Sequence, residues 1–248
     1  MAMSNQRNSR MSARLPLEIG AVDVQNVSLI LTPGFTITGR LTVEGQQSVA
    51  GNQSAGNQTG ARMRVMLRPD SAGQVAGSQP AGATQADGTF TLEQVGRDDY
   101  RVAVSGLPRN AYIKSATLGG TDVLNQDLRL ERQPTGSLEI VVSMNSGTAD
   151  GLVQNEKQQP ASNVTVTLIP ESRRNRMDLY RTISTDAAGR FHLEGVAPGD
   201  YRVFAWEEVD NGAWQDLEFL RQFEDRGKMI RINEGAASNV ELRAIPPQ

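Results

Sequence analysis

Residues 63–102 and 164–203 are two versions of one sequence, aligned without a gap. Leu67, Pro69, Gly88, Phe90, Leu92, Val95, Asp99, Tyr100, Arg101 and Val102 return as Leu168, Pro170, Gly189, Phe191, Leu193, Val196, Asp200, Tyr201, Arg202 and Val203. After a one-residue slip, Leu128, Leu130 and Leu138 match Ile230, Ile232 and Val240. A repeat of this length restricts the chain to two copies of one folding unit, because each copy must bury the same apolar pattern in the same way. What both copies keep is scaffold, and function is to be sought where they differ. The 248 residues give each copy enough chain for a core of its own.

Apolar residues alternate with polar ones at period two, with Gly, Asp, Asn and Pro as punctuation, which is the pattern of an all-β sandwich. Strands are expected at about 25–32, 35–44, 61–68, 88–94, 99–105, 111–118, 127–132 and 136–144. The second copy should continue at about 148–155, 163–170, 178–185, 189–195, 200–207, 227–233 and 238–245. Residues 45–60 are polar and of low complexity, so a loop is expected there. VSLILTPGFTITG (27–39) is similar to LEIVVSMNSGTADG (138–151), and VELRAIPP (240–247) is similar to the first half of both. Each unit should therefore end on such a strand and pass directly into the next unit. This places one sandwich at 33–144 and a second at 145–248. Residues 1–32 become a tail plus the closing strand of a missing upstream copy.

Several functions are excluded by composition. The net charge is −3, with no basic excess to attract nucleic acid or an anionic membrane surface. The absence of cysteine removes disulfides, thiolate nucleophiles and Cys-based metal sites. No run approaches the roughly 18 apolar residues of a membrane span, and the first sixteen residues lack a signal-peptide core. An export signal, if the natural protein is exported, is expected outside this chain.

TDAAGRFHLEGVAPGDYRVFAWEE (185–208) resembles the signature of carboxypeptidase-regulatory-like domains, whose fold is a transthyretin-like (prealbumin-like) sandwich. Asp186, Gly189, Phe191, Leu193, Pro198, Gly199, Tyr201 and Val203 carry the likeness. The first copy keeps Gly88, Phe90, Leu92, Tyr100 and Val102, with Arg97-Asp98 in place of Pro-Gly. The resemblance implies two tandem transthyretin-like β-sandwiches from an exported bacterial envelope protein. It also implies similarity to starch-binding-like folds. The residues make physical sense on their own: Asp186 can bond turn amides, and Gly189 and Gly199 suit turns at positive φ.

Little in the sequence points to catalysis. His192, the sole histidine, alternates to the outer side of its strand and has no placed nucleophile; it is expected exposed, without a carboxylate and nucleophile around it. The acidic groups Glu207, Glu208 and Asp210, and Asp216 with Glu218, lack EF-hand spacing and are expected to be solvated. Some pilin-like relatives of the sandwich carry a Lys–Asn isopeptide bond, but Lys157 lies in a polar turn and strand 35–44 has no lysine. The copies differ at Phe204 and Trp206, where the first has Ala103 and Ser105. Two large aromatics on an outer face need cover. Trp214, Leu217, Leu220 and Phe223 recur every third residue nearby, so a short helix folding back over them is expected.

The expectation is thus a non-catalytic spacer or interaction module, extracytoplasmic, whose partners are neighbouring domains of the parent protein. No cofactor, metal, nucleic acid or membrane insertion is expected. The alternative is a polysaccharide-binding module that uses Trp206, Trp214 and Tyr180 as ligand-binding residues. Exposure of the two tryptophans separates these readings.

Overall fold

A computed structural model of the chain describes residues 2–6, 9–13, 20, 27–44, 63–69 and 79–247. They form two compact all-β units. The first takes in the described residues to 42, with 63–69, 79–106 and 115–141; the second takes in 43–44, 107–114 and 142–247.

The first unit begins with β1 (Ala2–Gln6) and β2 (Ser9–Ala13), an antiparallel pair, on which β3 (Thr32–Pro33) adds a short third strand. Residues 27–31 carry no strand, which corrects the strand expected at 25–32; residues 25 and 26 lie outside the described residues. Next come β4 (Phe35–Glu44), β5 (Arg64–Pro69), β6 (Ala81–Ala83), β7 (Thr89–Val95) and β8 (Asp99–Ser105). They are followed by β9 (Tyr112–Leu118), β10 (Thr121–Asp122), β11 (Leu128–Arg129) and β12 (Leu138–Ser143). One sheet runs β10-β9-β12-β4-β7 and the other β11-β8-β5-β6. β4 buries every second residue over most of its length, so Phe35, Ile37 and Leu41 face the core with Leu67, Leu92 and Ile140.

The second unit holds β13 (Gly147–Gln154), β14 (Thr165–Pro170), β15 (Arg181–Ser184), β16 (Arg190–Val196) and β17 (Gly199–Trp206). A short helix, α1 (Leu217–Arg221), precedes β18 (Lys228–Ile232) and β19 (Ala237–Arg243). Its sheets run β16-β13-β19 and β15-β14-β17-β18. The strands β7-β4-β12 thus answer to β16-β13-β19, and β6-β5-β8-β11 to β15-β14-β17-β18. Val153, Val166, Leu168, Phe191, Leu193, Tyr201, Val203 and Val240 fill the space between the second pair of sheets.

The conserved letters of the repeat turn out to be matched devices. A Cβ on Gly39 would overlap the Phe90 ring and the Leu138 carbonyl, and one on Gly151 would overlap Phe191 and the Val240 carbonyl. Only glycine lets the ring lie flat against the neighbouring strand. The Tyr100 hydroxyl donates to the Gly96 carbonyl at 3.1 Å, and the Tyr201 hydroxyl to the Ala197 carbonyl at 2.8 Å. Burial pushes the Tyr201 hydroxyl up to about 12. Both copies also carry a bulge where the first strand meets its antiparallel neighbour, with Gln94 at φ 58° in one and Gly195 at φ 70° in the other.

Asp186 caps its turn as expected, its Oδ1 accepting from the amides of Ala188 and Arg190, and Gly189 has φ 72°. Gly199 differs from expectation. It opens β17 outside the positive-φ region, because the positive-φ residue that redirects this chain is Gly195 in the bulge.

Candidate functional site

The outer face of the β14-β17 sheet carries Ile169, Phe204 and Trp206, and 213–226 folds over it as short helical turns around α1. The Asp216 side chain starts α1 by accepting from the Glu218 amide at 2.8 Å. The Trp206 ring lies 5.3 Å from Phe204, 5.5 Å from Phe219 and 4.9 Å edge-on to Phe223. Its Nε1 donates to Thr167 Oγ1 at 3.0 Å, so its one polar atom is satisfied inside. Trp206 is 1% exposed and Trp214 7%. Rings covered in this way offer no stacking face to a sugar, which corrects their assignment as ligand-binding residues. Tyr180 is half-buried against the same cluster, and its hydroxyl donates to the Arg174 carbonyl at 2.9 Å.

His192 stands 52% exposed on β16. It is exposed as expected, and two carboxylates flank it. Nδ1 lies 2.6 Å from Asp150 on the facing strand and Nε2 3.1 Å from Glu194 two residues along, since cross-strand and i, i+2 positions share one face. The hydrogen bond to Asp150, then that to Glu194, raises its pKa above the ordinary value. With both nitrogens facing carboxylates, the ring is arranged to carry charge rather than to take a proton from a hydroxyl. The Thr148 hydroxyl donates to Asp150 at 3.3 Å. The two carboxylates flank the ring from opposite nitrogens, and among the described residues no group of His, Asp and Glu is placed to hold a metal ion. Beside it, an open depression of about 820 Å³ runs along β13 and β19, lined by Asp150, Leu152, Arg190, Lys228, Asn239 and Glu241 among others.

Segment 107–114 and the loop before β19 meet within the second unit. Tyr112 enters that unit's core, and its hydroxyl donates to Glu234 at 3.0 Å, with Ser143 on the same oxygen at 3.4 Å. Lys114 pairs with Glu44 at 2.6 Å. Arg176 is buried against Asp178 and the Ile113 carbonyl, and Arg181 donates to the carbonyls of Asp178, Tyr180 and Gly195. The buried Arg176 and the half-buried Arg181 are neutralised or bonded where they sit, as stability requires. Lys114, Lys157 and Lys228 are all exposed. Sequence reading passed over Tyr112, Glu234 and Arg176, since nothing local marks residues that meet across more than sixty positions.

No family model matches the chain, so the carboxypeptidase-regulatory-like resemblance gains no support from that side. A segment of a curated protein does match. The chain is 27% identical over 137 residues to serine-aspartate repeat-containing protein D of Staphylococcus aureus, covering 48% of this chain. It spans about a tenth of that relative's length. Among solved structures, the minor pilin GBS52 of Streptococcus agalactiae overlaps 87% of this chain and 98% of its own, at 13% identity and a TM-score of 0.36. A streptococcal ancillary pilin overlaps 97% of this chain and 73% of its own, at 14% identity and 0.31. Overlaps this loose assign no function. Among the described residues no helix is long and apolar enough to cross a membrane.

Proposed function

We propose that this chain is a non-catalytic β-sandwich module, a spacer and interaction unit within a larger exported bacterial cell-surface protein. The observation that carries this reading is where the second unit places its distinctive side chains. Trp206 and Trp214 are core, and both nitrogens of the sole histidine face carboxylates. The segment similar to serine-aspartate repeat-containing protein D supports it. On this reading residues 33–144 and 145–248 are the two repeats, and residues up to 32 are a tail. Neighbouring domains of the parent protein are its partners.

A spacer of this kind must bear load one domain at a time. Stretching single molecules should give two separate unfolding events. Each should release about 34–40 nm of chain, from roughly 3.3–3.6 Å per residue over a repeat. One event releasing the whole length would overturn the two-repeat reading.

A further inference from the structure

Every open sandwich has four sheet edges, and three of them are the same in both copies. β7 and β16, β6 and β15, and β11 and β18 all end their sheets. The closing strands differ. In the first copy β12 is interior, flanked by β4 and β9, whereas β19 ends its sheet. The difference arises in the excursion between matching strands: after β8 it forms β9, but after β17 it forms the aromatic cover around α1. Gly119 donates to Ser137, and Asn110 to Met144, at opposite ends of β9 and β12, so β9 runs antiparallel to β12.

The open edge can be read residue by residue. β19 pairs parallel to β13, with Thr148 donating to Ala236 and Ala244 donating to Gln154. Even-numbered residues therefore direct their main-chain groups to β13, and those of Ala237, Asn239, Glu241 and Arg243 point away. The Glu241 carbonyl is met by the exposed Lys228 ammonium at 3.3 Å, a charged side chain of the kind that guards sheet edges. Beside it Ile230 is only partly buried, whereas its register equivalent in the first copy, Leu128, is 4% exposed. An apolar strand is what this edge lacks. The chain also holds an apolar segment without a ladder: in 27–31, Val27, Leu29 and Ile30 are exposed, Ile30 at 79%.

We propose that the β19 edge accepts, antiparallel, the segment 27–31 of a second copy of this chain, so that copies associate head to tail by strand addition. This rests on the β19 edge and on the exposed segment 27–31, and not on the spacer reading.

Light scattering coupled to size exclusion, run on the full chain over a range of concentrations, tests it. Association should grow with concentration and be lost in Glu241→Pro, which removes an outward amide without touching the β13 ladder. It should also be lost in Leu29→Asp/Ile30→Asp, whose sites are exposed and leave both cores intact. A peptide VSLILT added to the labelled chain should shift the amide signals of 237–243. A chain that stays monomeric throughout, association that survives both variants, or peptide shifts located elsewhere would each overturn the proposal.

Discussion

Two side chains of the second unit show how one residue's surroundings decide its role. Trp206 was weighed in sequence as either core or ligand platform, and its contacts with Phe204, Phe219 and Phe223 make it core. Trp206→Ala should cost the second unit about 3–5 kcal/mol, the range for large aromatic deletions, and would strand the Thr167 hydroxyl. Urea unfolding followed by circular dichroism measures this, and a loss near zero would contradict the buried ring. His192 offers a cleaner titration because it is the only histidine. Its raised pKa means that the folded state favours the imidazolium; the stability it adds is present below the ordinary value and fades as pH rises through the folded one. Its exposure makes that contribution small in salt. NMR titration of the ring should show Asp150→Asn lowering its pKa towards the ordinary value. An unchanged midpoint would mean that Asp150 does not hold the proton.

At the scale of elements, local chemistry left clear marks and long-range choices did not. The strand over 35–44 and the one over 99–105 coincide with β4 and β8, since alternation is fixed by which face is buried. Phe90 and Phe191 were legible as core, but the need for Gly39 and Gly151 beneath them was not, because strand neighbours are not adjacent in sequence. β1, β2 and β6 were missed for a related reason: those stretches are short and lack a clear apolar alternation, and only their partners make them strands. The helical cover was legible from its period, whereas the unpaired edge it leaves on β19 was not. The shared bulge supplies a test. Gln94 occupies the left-handed region that its counterpart Gly195 fills without strain. Gln94→Gly should therefore stabilise the first unit by up to about 1 kcal/mol, the left-handed penalty less the entropy glycine adds to the unfolded chain. Thermal unfolding reads this directly, and a lowered midpoint would count against strain at the bulge.

Across the whole molecule, duplication has preserved the paired sheets while the stretch joining two matching strands has diverged. In the first copy it lengthens a sheet, and in the second it roofs one. That one divergence accounts for the aromatic cluster and for the open edge together. A consequence follows for anyone handling the protein. Both tryptophans belong to the roofed aromatic cluster of the second unit, and the first unit has none. Indole emission is thus a built-in optical label for one sandwich alone, while far-ultraviolet dichroism sees both. Melting curves from the two signals, overlaid, would separate the stabilities of two near-identical folds without cutting the chain or adding a dye.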